Sequence, residues 1–146
     1  MTLADSSASA QTALFVYGTL QLPQILQVLL GRLPRSRSAT LMGYRSGLME
    51  GRYYPGIVPA KGHRVVGRLL EGLTRAELQR LDEYEGEEYR RARVSVTPHE
   101  RRAEQVRCDV YVVREHAWLQ VTSNPFVLES LSEHPDILRS LRAHES

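Results

Sequence analysis

The chain has 146 residues, enough for one domain whose core needs neither disulfide nor metal staple. Its 19 basic and 17 acidic residues leave a formal net charge of +2, too weak and too scattered for a nucleic-acid partner. A single cysteine excludes an internal disulfide and suits a reducing compartment, and no apolar run approaches the roughly 18 residues of a membrane span.

The first residues are rich in Ser and Ala and carry neither a basic n-region nor an apolar h-region. They read as a disordered N-terminal tail, 1–12, on a cytoplasmic protein rather than a secretory signal. Ala13 to Tyr17 is a short apolar run with β-branched and aromatic content, expected to be a buried strand. Pro23 fits the first position of a helix carrying Ile25, Leu26, Leu29 and Leu30, closed by Gly31. Arg32 to Ser38 reads as a basic loop, and Ala39 to Tyr44 as a strand. Gly47 to Pro59 is expected to be irregular, because Pro55, Gly56 and Pro59 forbid a helix. Lys61-Gly62 then suggests a hairpin turn before a strand over Val65 to Leu70.

Thr74-Arg75-Ala76-Glu77 is a capping box, opening a helix that turns Leu78 and Leu81 inward and ends at Gly86. From Tyr89 to Thr97 the residues alternate, with Ala92, Val94 and Val96 on one face and Arg91, Arg93 and Ser95 on the other. The densest basic stretch, Arg90-Arg91-Ala92-Arg93, lies in that pattern and reads as a solvated strand face. Pro98 to Glu104 is a polar turn, and Val106 to Val113 a return strand. Cys108 sits mid-strand in that segment, as a small structural thiol. Two helices are expected beyond, over Pro125 to Leu131 and, after Ser132 as N-cap, Pro135 to Ala143. The organisation is thus a tail at 1–12, a domain at 13–118 and a helical extension at 119–146 packed on the same domain. Strands dominating the middle, with helices inserted singly, favour an α+β sheet curled toward a small barrel over a doubly wound parallel sheet.

Chemistry concentrates in two segments. Asp82, Glu83, Glu85, Glu87 and Glu88 crowd together, and helical spacing sorts them: Glu85 follows Leu81 by four and Leu78 by seven, on the buried stripe. Burial, neighbouring like charges and the negative end of the helix dipole would all raise its pKa, as suits an acid/base working near neutral pH. The competing reading is a salt-bridge acceptor for Arg90 or Arg91. The second segment is the turn Tyr17-Gly18-Thr19-Leu20. It lacks the length and lysine of a phosphate loop, but free N–H groups around Gly18 could hold a carboxylate; otherwise it is an ordinary turn. Tyr53-Tyr54-Pro55-Gly56 could line a pocket or be a packed turn. The histidines are scattered without metal-ligand spacing, and no Gly-x-Ser-x-Gly elbow occurs.

Several strings, in this order and spacing, resemble the γ-glutamylcyclotransferase-like family, above all its branch of plant avirulence-induced proteins and bacterial relatives. They are Phe15 to Leu20, Leu29-Leu30-Gly31-Arg32, Gly43-Tyr44-Arg45, Tyr54 to Pro59, Val66 to Leu70, Leu81 to Gly86 with Tyr89 and Arg91, and Tyr111-Val112. The resemblance spans about Leu14 to Trp118. It implies a small mixed β-barrel with helices around it, and cleavage of a γ-glutamyl amide or γ-glutamylamine to 5-oxoproline and a free amine, with no cofactor. It further implies Glu85 as catalytic acid/base and Tyr17, Gly18, Thr19 and Leu20 as substrate-binding residues; Tyr54 and Tyr89 are expected to bind the substrate beside them. The expected partner is a small γ-glutamyl molecule, with no nucleic acid or membrane, and the oligomeric state is left open. The alternative is a non-catalytic protein on the same fold that binds a small carboxylate or another protein.

Overall fold

A computed structural model of the chain describes residues 12–128. Of the two expected C-terminal helices, the one over Pro135 to Ala143 lies outside that range, and the one over Pro125 to Leu131 is described only at 125–128, where 125–127 are not helical. Nearly all of the expected N-terminal tail also lies outside. Five strands close into a barrel in the spatial order β1-β3-β2-β4-β5: β1 Thr12–Val16, β2 Arg35–Leu48, β3 Pro55–Leu73, β4 Tyr89–Pro98 and β5 Val106–Val113. Every pairing is antiparallel except β1 with β5. Helix α1 (Pro23–Leu30) follows β1 after a 3-10 turn at Thr19–Gln21, helix α2 (Arg75–Glu85) joins β3 to β4, and a second 3-10 segment occupies Glu115–Gln120.

Two apolar clusters explain why β1 is apolar without a break. Phe15, Leu41, Leu69, Val94, Val96, Cys108, Val110 and Val112 form one cluster with no helical member, the barrel interior. Leu14 and Val16 point the other way and pack with Ile25, Leu26, Leu29, Leu78 and Leu81 of the two helices. A strand covered on both faces needs no polar alternation. Cys108 is fully buried in the inner cluster, and burial pushes its thiol up to about 12, so it is inert packing.

Helix α1 has the expected proline start and ends on Gly31 at φ 75°. Helix α2 has both halves of the capping box, with Glu77 N–H donating to Thr74 Oγ1 at 3.1 Å and Thr74 N–H to Glu77 Oε1 at 3.0 Å.

Three expectations are corrected. The basic loop is shorter than expected, because Arg35 to Ser38 already pair with β3 as a polar strand. Arg37 lies against Glu71 at 3.1 Å, and Arg68 donates to the hydroxyls of Ser36 and Ser38. Residues 55–59 are strand rather than irregular chain, since Pro55 is the first residue of β3 and Pro59 sits at a bulge, the two places a strand tolerates proline. Lys61-Gly62 does not reverse the chain. Met42 faces Arg64 and Tyr44 faces Pro59, so four residues of β3 stand opposite Gly43 alone, with Gly43 at φ 87° and Gly62 at φ 85°.

Past Glu115–Gln120, the chain is tied to the barrel. Val121 bridges Met49, and the hydroxyl and N–H of Thr122 both donate to the Leu48 carbonyl. Among the described residues, no helix is long and apolar enough to cross a membrane.

Candidate active site

One end of β1 and one end of α2 meet over a cavity of about 290 Å³. All seven residues singled out in the sequence line it: Tyr17, Gly18, Thr19 and Leu20 from the turn after β1, Glu85 from the last residue of α2, Tyr54 just before β3, and Tyr89 at the start of β4. Local sequence explains each placement. The chain leaves β1 at Val16, turns at Gly18 and enters the 3-10 turn, whose bonds run from Gln21 N–H to Gly18 O and from Leu22 N–H to Thr19 O. Within that turn the N–H groups of Thr19 and Leu20 have no acceptor among the described residues, as in any first helical turn. Helix α2 stops because Gly86 leaves the helical region at φ 86°, its N–H making the last helical bond, to Asp82 O at 3.1 Å.

The backbone at Gly18 does not itself demand a glycine. Its φ is −125°, outside the left-handed region. A Cβ there would lie 3.0 Å from both Cγ and Cδ of Pro55, so close approach of the Pro55 ring is what excludes a side chain.

The phenols around the cavity share one pattern. Tyr17 donates its proton to the Tyr111 carbonyl at 2.6 Å, Tyr89 to the Pro55 carbonyl at 2.8 Å, and Tyr111 to Asp82 Oδ1 at 2.7 Å. A phenol has one proton, so these three oxygens keep only acceptor lone pairs for a ligand. Burial raises all three pKa values above the ordinary range, so the groups stay neutral. Tyr84, hydrogen-bonded to Thr19 Oγ1 at 2.9 Å, is pushed up to about 12 by burial. Arg52 donates to the Tyr54 hydroxyl, stacks 5.6 Å from that ring's centre and pairs with Glu88 at 3.3 Å.

Glu85 differs from every other acidic group nearby. The salt-bridge alternative does not hold: Arg91 is engaged by Asp82 at 2.8 Å and Asp109 at 2.7 Å, and Glu85 makes no ion pair or hydrogen bond among the described residues. Burial lifts its pKa to about 8, with the Asp82 charge adding to the effect. No buried side-chain oxygen or nitrogen lacks a partner among the described residues. The unpaired carboxyl oxygens of Glu85 therefore keep some accessible surface, and Glu85 lines the cavity.

Two lining tyrosines, Tyr84 and Tyr111, escape the sequence reading as site residues. Tyr84 is adjacent to Glu85, and that adjacency was a usable signal. Tyr111 is brought in by the pairing of β5 with β4, and its link to Asp82 spans 29 positions. Among the described residues, no group of three His, Cys, Asp or Glu side chains could hold a metal ion.

Comparison with known proteins places this geometry in a family. A family model described as gamma-glutamyl cyclotransferase, AIG2-like, matches residues 14–130. AIG2-like protein B of Arabidopsis thaliana is 42% identical over 98 residues, covering 67% of this chain and 56% of its own length. AIG2-like protein D of the same plant is 40% identical over 100 residues, covering 68% and 66%. The chain thus matches only about half to two-thirds of these curated relatives' length. A solution structure of an Arabidopsis thaliana protein superposes with a TM-score of 0.72 at 32% identity, over 89% of this chain and 87% of that one. A gamma-glutamyl cyclotransferase structure shares the fold, with a TM-score of 0.61 at 19% identity over 71% and 67% of the two chains.

Proposed function

The chain belongs to the gamma-glutamyl cyclotransferase, AIG2-like family, and from that premise we propose that it cleaves a γ-glutamyl amide or γ-glutamylamine to 5-oxoproline and a free amine, with Glu85 as the acid/base. The observation that carries the reading is an unpaired carboxyl of raised pKa, set among three phenols whose only protons are committed elsewhere. Such a lining offers acceptors and suits a ligand that brings an ammonium.

The chemistry follows from that match. At pH 7 the empty site holds Glu85 mostly protonated. An arriving α-ammonium is a cation beside the carboxyl, which lowers its pKa, so Glu85 releases its own proton to solvent and pairs with the ammonium as a carboxylate. Glu85 takes a proton from the ammonium, and the freed nitrogen attacks the γ-carbonyl carbon five atoms round the chain. A new C–N bond closes the ring as the carbonyl becomes an oxyanion, for which the N–H groups of Thr19 and Leu20 are candidate donors. The oxyanion then re-forms the carbonyl and expels the original nitrogen. Glu85 hands its proton to that leaving amine, which also accepts the one shed by the attacking nitrogen. No external nucleophile is needed, because the substrate carries its own. Holding amine and carbonyl in one cavity supplies the orientation such a ring closure requires.

The test is a panel of γ-glutamyl compounds assayed for 5-oxoproline. Glu85→Gln should cut turnover by about two to four orders of magnitude, the usual share of a general acid/base. Blocking the substrate's α-amine by N-acetylation should stop the reaction. Release of free glutamate, or equal cleavage of the acetylated compound, would instead mean that water is the nucleophile. Binding by thermal shift without any 5-oxoproline would leave a small-carboxylate binder on the same fold.

A further inference from the structure

Asp82 does not line the cavity, yet it touches what does. Its carboxylate receives the Tyr111 hydroxyl at 2.7 Å and is gripped by Arg91 through Nε at 2.8 Å and Nη2 at 3.2 Å. The remaining arm of Arg91 reaches Asp109 at 2.7 Å, and Asp109 is almost fully buried between β1 and β4. Arg93 adds a looser contact to Asp109 at 3.7 Å. The chain of contacts therefore runs from α2 through Arg91 on β4 to Asp109 on β5, and back to the cavity through Tyr111. Planar two-point pairing of this kind fixes geometry as well as charge.

We propose that Asp82 is a positioning residue for the acid/base site: pinned by Arg91, it turns the Tyr111 proton away from the cavity and fixes a negative charge one helical turn before Glu85. With its proton held by Asp82, Tyr111 can only accept from a ligand, which makes its oxygen a seat for an ammonium. The charge meanwhile favours the protonated form of Glu85. The other titratable groups around the cavity that holds Glu85 are Tyr17 after β1, Tyr54 before β3, Tyr84 on α2 itself, Tyr89 from β4 and Tyr111 from β5, all held neutral by burial, so Asp82 is the charged neighbour that matters. Glu88, close by in sequence, is occupied by Arg52.

The catalytic half of this proposal rests on the proposed function, so the experiment has an arm that needs no substrate. The Glu85 carboxyl is titrated by carbon NMR in the full chain, in the wild type and in Asp82→Asn, with thermal melts confirming that both are folded. The wild-type midpoint should lie near 8, and Asp82→Asn should lower it by about half a unit to one unit. Asp82→Glu, which restores the charge, should recover most of that change. If Asp82→Asn does not fold, Arg91→Gln replaces it and should move the midpoint upward, because the cation that offsets Asp82 is gone. An unchanged or opposite midpoint overturns the proposal. In the kinetic arm, Asp82→Asn should lower kcat/KM about tenfold, mainly through KM, and shift the acidic limb of the profile downward. A purely structural role would leave that limb in place, and this result also overturns the proposal. If no γ-glutamyl compound is turned over, the enzymatic reading fails while the NMR arm still decides the role of Asp82.

Discussion

Replacing Glu85 by Gln should stabilise the protein, and the gain should depend on pH in a way that reports the state of the wild-type carboxyl. A carboxyl whose pKa rises from 4.5 to about 8 on folding is protonated in both states below pH 4.5 and costs nothing there. Between those two values the folded state holds a proton that the unfolded chain has released, so wild-type stability falls as pH rises. The full gap corresponds to about 5 kcal/mol at about 1.4 kcal/mol per pH unit. Because the carboxyl oxygens reach cavity water, the realised loss should be smaller, about 2–3 kcal/mol by pH 8. Glutamine fills the same space and does not titrate. Urea unfolding of both proteins at pH 4.5, 6, 7 and 8.5 should start nearly superposed and then diverge, the variant becoming the more stable. At pH 8 its melting temperature should stand roughly 5–10 °C above wild type. Curves that stay parallel across this range would show that Glu85 titrates as an ordinary exposed carboxylate, and the acid/base argument built on its burial would fall with them.

Gly18→Val should cost about 1–3 kcal/mol and raise KM, since its Cβ would press on the Pro55 ring at 3.0 Å before the methyls are counted; urea midpoints and substrate titration test both halves. Leu81→Ala removes a fully buried side chain from beneath the last turn of α2, so about 2–5 kcal/mol should be lost in equilibrium unfolding. Thr74→Ala breaks the capping box at the other end of that helix and should cost about 1 kcal/mol in the same assay.

What the sequence made legible was local. Pro23 and Gly31, and Thr74, Glu77 and Gly86, carry the start and stop chemistry of their helices in a few adjacent residues, and both helices run where that chemistry puts them. The errors fall where partners are distant. Arg35 to Ser38 look like a loop because their polar side chains hide a strand, whose reason is the facing row Arg68 to Glu71. Residues 55–59 look broken because two prolines and a glycine argue against any regular element. Their strand exists because 44–48 lies alongside and the prolines fall at a strand start and a bulge. Turn residues mark a departure from regularity, but whether it is a reversal or a bulge depends on what faces them across the sheet.

The cavity follows the same division. Glu85 could be chosen among five acidic neighbours because a 3.6-residue period decides which one faces inward, and the turn at Gly18 could be flagged because strand and glycine are adjacent. The rest of the site depends on barrel closure. Only when β5 pairs with β4 does Tyr111 come to Asp82, and only when β4 begins beside Pro55 does the Tyr89 phenol find its acceptor. These long-range bonds determine the chemical character of the cavity, since the same tyrosines with free hydroxyl protons would offer donors to a ligand. A tyrosine-rich wall is ambiguous as sequence, and its acceptor character arises from three carbonyl or carboxylate oxygens lying far along the chain. The acceptor character of the cavity thus comes from pairings made across the barrel, while the residue proposed to move the proton is the one the helix period already marks.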